Sequence, residues 1–372
     1  MTFVKTIDSY VQGARTMPRE YYHAPEILAR ELDRIFPRHW LCVGREERIA
    51  EPGSYFLQQV GAESVIVLRD RKGTPRAFYN VCRHRGTRIC DVAEGRFSET
   101  LQCPYHAWTY STDGRLVGAP HMNEVEGFDK RNFPLHPVPL ATWNGFLFIN
   151  FTPDAPPIAE VFAPLAGRFE RFNLAALRSV RLIEYDVKAN WKLIFQNYSE
   201  CLHCPTIHPE LSRLMPYTSG ENDLVAGPFL GGHMQIAPGN QSMTITGRAC
   251  GVPLGDLEAG DLQRAYYYTI FPNLMLSIHP DYAVYYRVWP LEPGRTHISC
   301  EWLLHPDSAK HPELSPDGAV EFWDITNRQD WHVSELSHAG IASRMYAPGP
   351  YSPRESVPAA WDRAYLEALG EK

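Results

Sequence analysis

The chain has 372 residues, of which 44% are hydrophobic and 21% charged, a composition that is ordinary for a globular protein of two domains or one large one. Its formal net charge of -7 predicts no basic surface for nucleic acid or anionic membranes. No run of about 20 apolar residues predicts a membrane span, and the first residues lack the apolar stretch of a secretory signal. We therefore expect a cytoplasmic protein that binds neither nucleic acid nor membrane.

The eight cysteines are sparse for this length, and several lie beside histidines. This usage favours metal binding in a reducing compartment over a disulfide scaffold. Cys42, Cys250 and Cys300 stand alone in apolar or strand-like sequence, so we expect each to be a small buried hydrophobic residue. Cys90 is expected to be a packed loop thiol.

The first part of the chain predicts a helix followed by short strands. Residues 18–39 carry apolar side chains at helical spacing, and Pro37 closes the helix. Beyond residue 40 the sequence predicts strands separated by glycine-containing turns, at 64–70, 75–81, 108–111, 115–117 and 143–151. Residues 41–159 are therefore predicted to form a small all-β domain.

The second part begins after Pro156-Pro157 and predicts a mixed domain. A helix over 190–204 follows a strand at 181–186, and the glycine-rich residues 216–262 are expected to form loops over a cavity. An antiparallel sheet is then predicted from strands at 265–271, 274–278, 283–289 and 297–304, followed by helices at 317–345 and 355–369. The predicted fold class is α+β, with residues 1–40 and 160–372 forming a domain in which helices surround the antiparallel sheet.

A first group of metal-ligand residues lies in the all-β part. Cys82, His84, Cys103 and His106 have the spacing C-x-H-x18-C-x2-H, so that each of two loops offers one thiolate and one imidazole. A structural zinc site usually takes both cysteines from one loop and both histidines from another. The mixed arrangement is typical of a Rieske [2Fe-2S] centre, in which two cysteines hold one iron and two histidines the other.

A second group lies a hundred residues later, with the spacing E-x2-H-x4-H. On the predicted helix, Glu200 and His203 share a face, whereas Pro205 interrupts the helix and brings His208 in from a turn beyond its end. Two imidazoles and one carboxylate on one side of an iron ion leave positions open, as in the non-haem Fe(II) oxygenases. Glu200 is one candidate for that carboxylate.

The late helix offers two further carboxylates. Asp324 and Asp330 are six residues apart and lie on different sides of a helix, so at most one can face the metal. Between the histidines, Cys201 and Cys204 form a C-x2-C pair of the kind found in zinc knuckles and redox sites. No second C-x2-C pairs with it and a thiolate would occupy an open position, so we expect both cysteines to pack in the helix.

The motifs NVCRHRG, CPYHAW, NW-x4-QN-x2-E-x2-H-x4-H and DWHVSE together resemble those of the α subunits of Rieske non-haem iron oxygenases, the ring-hydroxylating dioxygenase family, over nearly the whole chain. The resemblance implies that the ligand of the late helix stands five residues before a glutamate, which selects Asp330 with Glu335. It implies two iron sites, a [2Fe-2S] cluster on Cys82, His84, Cys103 and His106 and a mononuclear Fe(II) on His203, His208 and Asp330.

The resemblance also implies partners. Glu200, with Asn197, would link the mononuclear site to His106 of a neighbouring subunit in a trimer, so that electrons cross a subunit interface. A glutamate in this position resembles the pattern of the family branch that acts on carnitine, choline or glycine betaine. A separate reductase would deliver electrons from NAD(P)H, since the chain has no G-x-G-x-x-G fingerprint after a strand.

The sequence predicts no substrate-binding residues. The late strands are rich in aromatic residues, which usually pack in a core and could also form a π surface for a quaternary ammonium: Tyr266, Tyr267, Tyr268, Phe271, Tyr282, Tyr285, Tyr286 and Trp289. The leading hypothesis is hydroxylation or oxidative demethylation of a small amine such as a betaine, with O2 as co-substrate. The alternatives are hydroxylation or dihydroxylation of an aromatic compound, and a zinc protein with one structural and one hydrolytic site.

Overall fold

The computed structural model describes residues 2–371, which form two units. In the sequence, the smaller unit, Phe36–Val161, lies between the two segments of the larger unit, whose described residues are 2–35 and 162–371. Each unit has its own sheets and its own core. Within residues 2–371, no helix combines the length and the apolar character that crossing a membrane requires.

The amino-terminal segment of the larger unit contains β1 (Val4–Lys5), α1 (Glu20–His23) and α2 (Pro25–Arg34). The helix predicted within 18–39 is confirmed as α2, and α1 is a separate short helix before it. Ala24 is extended, with φ -76° and ψ 123°, because the ring of the following proline disfavours helical geometry in the residue before it. Pro25 then begins α2, where its missing N–H costs nothing.

The smaller unit is built from short antiparallel strands and one terminal helix. Its elements are β2 (Leu41–Arg45), β3 (Ser54–Val60), β4 (Glu63–Arg69), β5 (Pro75–Tyr79), β6 (Glu94–Arg96), β7 (Thr100–Gln102), β8 (Thr109–Ser111), β9 (Leu116–Gly118), β10 (Pro137–Val138), β11 (Leu140–Trp143), β12 (Phe146–Ile149) and α3 (Ile158–Val161). They form sheets in the orders β10-β5-β4-β3-β6, β11-β12-β2 and β7-β8-β9.

The carboxyl-terminal strands of this unit form a hairpin. Residues 143–151 were expected to be one strand, but Asn144 and Gly145 have φ of 47° and 78° and turn the chain between β11 and β12. Trp143 consequently lies opposite Phe146 in the sheet. Asn-Gly between apolar residues is the strongest short signal for such a two-residue turn, and here it was present in the sequence.

The larger unit continues with β13 (Arg178–Val187), α4 (Trp191–Tyr198), α5 (Cys204–Ile207), α6 (Pro209–Leu214), β14 (Glu221–Leu224), β15 (Phe229–Gln235), β16 (Arg264–Ile270), β17 (Leu274–Ile278), β18 (Tyr282–Glu292), β19 (Arg295–Leu304), α7 (Asp317–Ile341) and α8 (Ser356–Leu369). Its strands form one antiparallel sheet in the order β1-β14-β15-β16-β17-β18-β19-β13. The predicted α+β class, with helices around an antiparallel sheet, is confirmed.

Two strands of this sheet lie where loops were predicted, within residues 216–262. In β15, a Cβ on Gly231 would come within 2.0 Å of the Tyr267 carbonyl oxygen, and one on Gly232 within 2.0 Å of the Glu221 carbonyl oxygen. The two glycines therefore allow the backbones of β14, β15 and β16 to approach closely. Glycines in the sequence favour a loop, whereas here Gly231 and Gly232 make the close pairing of the strands possible.

Helix α4 ends earlier than the predicted helix over 190–204. Asn190 caps its first turn by accepting a hydrogen bond from the Lys192 backbone N–H at 3.1 Å, and the helix stops at Tyr198. Glu200 and His203 thus lie in the loop between α4 and α5, not on one helix face. Pro205 opens the short helix α5 instead of only interrupting a longer one.

A buried ion pair attaches α4 to the amino-terminal helix α2. Lys192 Nζ lies 2.6 Å from Glu31 Oε1, and both side chains are fully buried. Glu31 also accepts hydrogen bonds from Trp191 Nε1 at 2.8 Å and from the Tyr365 hydroxyl at 2.6 Å. A carboxylate removed from water needs such compensation, so the pair fixes where the helix that precedes the histidine segment must lie.

We expect Lys192→Met to lower the free energy of unfolding by about 3–5 kcal/mol, because it leaves the Glu31 carboxylate buried without a counter-ion. Chemical denaturation followed by tryptophan fluorescence measures the change. Arg295→Met is the matched control, since Arg295 pairs with Asp186 at 2.6 Å on the exposed surface and its loss should hardly move the midpoint. Equal effects of the two substitutions would show that the buried pair does not anchor α4.

Candidate metal centres

The two cysteine–histidine loops of the smaller unit have the same backbone geometry. In the first, the Gly86 N–H donates to the Cys82 carbonyl at 3.0 Å; in the second, the Ala107 N–H donates to the Cys103 carbonyl at 3.1 Å. Both donors have positive φ, 77° at Gly86 and 55° at Ala107. Each loop therefore turns tightly four residues after its cysteine, which presents the cysteine and the nearby histidine on one side.

The ligand side chains of these loops divide by exposure. Cys82 and Cys103 are buried in the core of the smaller unit, whereas His84 and His106 are exposed, with ring centroids 4.9 Å apart. Two buried thiols beside two adjacent exposed imidazoles fit a [2Fe-2S] cluster, which Cys82 and Cys103 would hold on one iron and His84 and His106 on the other. The imidazoles would then be the cluster ligands nearest the solvent.

Two aromatic side chains support this centre. The Tyr110 hydroxyl lies 3.4 Å from Cys82 Sγ and accepts a hydrogen bond from the Arg83 N–H at 3.0 Å. The Trp108 ring stacks on the His84 ring at 4.9 Å with an angle of 5° between planes. A hydroxyl donor to a cluster sulfur is a recognised control of reduction potential. Sequence reasoning missed Tyr110, whose place seven residues after Cys103 is not part of the cysteine–histidine spacing.

The second group of predicted ligands converges in the larger unit. His208 Nε2 lies 2.8 Å from Asp330 Oδ1, and His203 Nε2 lies 3.3 Å from the same oxygen. Adjacent ligands of a metal with bonds of about 2.1 Å are separated by about 3 Å, so each histidine nitrogen has the spacing from the Asp330 oxygen that two ligands of one metal ion have. The residues present therefore fit a mononuclear metal ion, and His203, His208 and Asp330 are the residues that could hold it.

Both imidazole rings are held by a hydrogen bond at Nδ1, the nitrogen that faces away from Asp330. His203 Nδ1 donates to Glu200 Oε1, and His208 Nδ1 donates to Gln329 Oε1 at 2.7 Å. With the proton on Nδ1, each ring presents the Nε2 lone pair towards Asp330, which is the tautomer that a metal requires. Sequence reasoning missed Gln329, although its position beside Asp330 on α7 was a signal that could have found it.

The electrostatics of the group favour a cation. Burial lowers the pKa of His203, but the hydrogen bonds to Asp330 and Glu200 outweigh it and raise that pKa to about 10. Burial raises the pKa of Asp330, yet the two histidines hold it below its usual value. Two carboxylates thus stabilise positive charge at the position between the histidines, whether a proton or a metal ion provides it.

The structure also places the competing carboxylate. Asp324 accepts hydrogen bonds from the Tyr185 hydroxyl at 2.8 Å and from Arg328 Nε at 2.9 Å. Its carboxylate is therefore bonded to these side chains and not to the two histidines. Glu200 is likewise occupied, since it accepts from the backbone N–H groups of Leu202 and His203 as well as from the His203 ring. Of the three carboxylates, Asp330 is the one whose oxygen lies within 3.3 Å of both Nε2 atoms, so it is the one that could complete the face.

The expectation that Cys201 and Cys204 only pack in a helix is wrong. The structure joins them in a disulfide, with their Cα atoms 4.9 Å apart, and Cys201 lies in the loop before α5. The predicted helix ends at Tyr198, which leaves this loop free to close into the short ring that a C-x2-C disulfide needs. Cys42, Cys90, Cys250 and Cys300 are buried, as expected.

A cavity of about 510 Å³ opens onto the second group of ligands. His203, His208 and Asp330 form part of its wall, and Asn197 and Glu200 also line it. Aromatic side chains from four elements complete the wall, namely Tyr198, Tyr267, Tyr286 and Trp323. The volume suits a small organic molecule placed beside the metal position.

Known families match both units. Residues 39–129 match the family model of the Rieske [2Fe-2S] domain, and residues 174–371 match that of the ring hydroxylating alpha subunit (catalytic domain). The chain belongs to the Rieske ring-hydroxylating oxygenase family. It is therefore an oxidoreductase with a [2Fe-2S] cluster and a mononuclear iron as its cofactors. The alternative of a zinc protein with a hydrolytic site is excluded by this membership.

Relatives within the family extend over most of the chain. The glycine betaine monooxygenase oxygenase subunit of Chromohalobacter salexigens is 35% identical over 92% of this chain and 82% of its own length. The carnitine monooxygenase oxygenase subunit of Escherichia coli K12 is 34% identical over 54% of each chain. A quaternary ammonium Rieske monooxygenase solved with L-carnitine shares the fold, with a TM-score of 0.77 at 24% identity over 98% of this chain and 97% of that one.

We expect Asp330→Asn to lower the iron content from about three ions per chain to about two, because the mononuclear ion loses its charged ligand while the cluster keeps its own. Iron and acid-labile sulfide analysis of the purified protein measures this. Asp324→Asn is the matched control on the same helix and should keep about three ions. Loss of the mononuclear iron from the Asp324 variant alone would overturn the assignment of Asp330.

Proposed function

We propose that this chain is the oxygenase component of a monooxygenase that hydroxylates or oxidatively demethylates a small quaternary amine of the betaine type. The observation that carries the proposal is the aromatic-walled cavity beside His203, His208 and Asp330. The relatives that act on glycine betaine and carnitine support it. We further propose a trimer, a separate reductase supplied with electrons by NAD(P)H, and a cytoplasmic location where that donor is available.

The aromatic wall has the chemistry that a quaternary ammonium needs. The Tyr198 ring lies 6.2 Å from that of Tyr267 and 5.9 Å from that of Tyr286, and the Tyr267 ring lies 6.4 Å from that of Trp323. A trimethylammonium group has no N–H to donate, so it is recognised by the negative faces of aromatic rings and not by hydrogen bonds. A wall of several rings can surround its methyl groups.

The hydroxyl groups of these tyrosines are already bonded within the protein. The Tyr198 hydroxyl is 2.8 Å from Ser277 Oγ, and the Tyr286 hydroxyl donates to Asn327 Oδ1 at 3.1 Å. Because these bonds fix the rings, the wall is formed before a substrate arrives, and little binding energy is spent on ordering it.

The cavity wall also carries groups that complement a zwitterion. Lys5 and Arg354 contribute positive charge, and the Arg354 guanidinium lies 5.7 Å from the Tyr217 ring centroid. Burial lowers the pKa of His233 in the same wall to about 4, so this imidazole is neutral at pH 7. A betaine would direct its methyl groups to the rings and its carboxylate to Lys5 or Arg354.

The protein's own groups then prepare the reaction. Iron, when bound, supplies the redox chemistry that activates O2, and the cluster supplies electrons one at a time. Glu200 and Gln329 hold the two imidazoles in the metal-binding tautomer. We propose that Glu200 also links this site to the exposed His106 of a neighbouring subunit, with Asn197 beside it, so that an electron crosses the interface as O2 is consumed.

The substrate class is tested with purified oxygenase, a surrogate reductase and NADH. We expect glycine betaine or carnitine to yield a demethylated or hydroxylated product by mass spectrometry, and 3,3-dimethylbutanoate, which replaces the ammonium nitrogen of betaine by carbon, to bind about tenfold more weakly or worse. Equally tight binding of this analogue, which keeps the carboxylate and lacks the positive charge, would contradict recognition of the cation. Conversion of benzoate with no conversion of any quaternary amine would establish the aromatic alternative instead.

We expect Glu200→Gln to keep both iron sites, because the glutamine oxygen still accepts from His203 Nδ1, while product formed per NADH falls by about 10–100-fold through loss of the linking charge. Iron analysis and coupled product measurement give the two readouts. Glu210→Gln, an exposed change in the same segment, serves as the control. Near-normal product yield in the Glu200 variant would refute the linking role.

A further inference from the structure

The disulfide lies directly against the mononuclear site. Cys201 and Cys204 bracket His203, and Cys204 Sγ is 3.8 Å from His203 Nε2, the nitrogen that faces the metal position. The ligand atoms of His203, Cys204 and His208 all lie within 4.8 Å of one another.

The oxidation state of Cys204 decides what its sulfur can do there. A free thiolate is a strong ligand for iron, cobalt and zinc, whereas a disulfide sulfur carries no charge and binds such ions weakly. A facial His-His-carboxylate site activates O2 when coordination positions that its protein ligands do not take stay open. A thiolate in reach of the metal would fill one of them.

We propose that Cys201 and Cys204 form a reversible redox site that determines whether Cys204 binds the mononuclear metal. As a disulfide, Cys201 masks the Cys204 sulfur and the open positions stay available. As a dithiol, the pair releases Cys204 to become an additional ligand beside His203 and His208. This inference rests on the proposed function in one respect, the placement of the metal between those histidines and Asp330.

The oxidation step balances with hydrogen peroxide as the two-electron oxidant. The two S–H bonds break, one S–S bond forms, and the peroxide O–O bond is reduced to two molecules of water that take up both protons. A dithiol or phosphine reductant reverses it by returning two electrons to the sulfurs. Both cysteines line the cavity, so small oxidants and reductants can reach them from the substrate side.

The two cysteines are not equivalent, and this provides matched variants. Cys204 is 2% exposed and belongs to the group of ligand atoms, whereas Cys201 is half-buried and lies outside it. Cys201→Ser removes the disulfide and leaves the Cys204 thiol permanently free. Cys204→Ser removes the same disulfide and leaves no sulfur near the metal.

The first measurement is thiol mapping of the full chain with its cluster in place. After treatment with hydrogen peroxide, the peptide that contains Cys201 and Cys204 should resist alkylation and be 2 Da lighter than after a phosphine reductant, the mass of the two hydrogens lost. A peptide that stays fully alkylated after peroxide would overturn the proposal.

The second measurement replaces the mononuclear iron by Co²⁺ and uses Cys204→Ser as the spectroscopic blank. A thiolate-to-cobalt charge-transfer band in the near ultraviolet should appear in the reduced wild type and in Cys201→Ser, and should be lost when the wild type is treated with peroxide. The proposal would be overturned if the band were absent from the reduced wild type and also from Cys201→Ser. Neither measurement uses a substrate, so failure to convert quaternary amines would count against the proposed function alone.

Discussion

One carboxylate oxygen, Asp330 Oδ1, lies within hydrogen-bonding distance of two imidazoles that come from a segment more than a hundred residues earlier in the chain. Such an arrangement brings a carboxylate and two imidazoles to a single point, and the raised pKa of His203 shows that positive charge is favoured there. The long helix α7 and the loop that carries His203 and His208 must therefore be held in register. Much of the larger unit can be understood as the means of holding them.

Three features provide that support from different directions. The buried Glu31–Lys192 pair fixes α4, from which the histidine loop departs. Gly231 and Gly232 allow β14, β15 and β16 to pair closely, and β16 contributes Tyr267 to the cavity wall. The redox pair closes the loop itself around His203. The same few elements therefore bind the substrate, position the metal ligands and control the open coordination positions. A substitution in one of these elements should alter the other two functions as well.

The sequence predicts sites better than it predicts their surroundings. Cluster ligands such as Cys82 and His84 follow from spacing within short loops, and His203 with His208 likewise, because local spacing survives any error in element boundaries. Asp330 needed the resemblance to a family, since helix geometry alone left Asp324 open. The disulfide and the support from Gln329 depend on where α4 ends and which residues face each other across the unit, and no local pattern encodes those facts.

The central claim is that one iron ion lies between His203, His208 and Asp330, apart from the cluster. Anomalous diffraction from crystals of the iron-loaded protein, recorded on both sides of the iron edge and of the zinc edge, tests it most directly. The account predicts a single iron peak at bonding distance from both Nε2 atoms and from the Asp330 carboxylate, together with a paired peak beside Cys82 and Cys103. A peak between the histidines that appears only above the zinc edge would contradict it, and so would the absence of any peak there in an iron-replete protein.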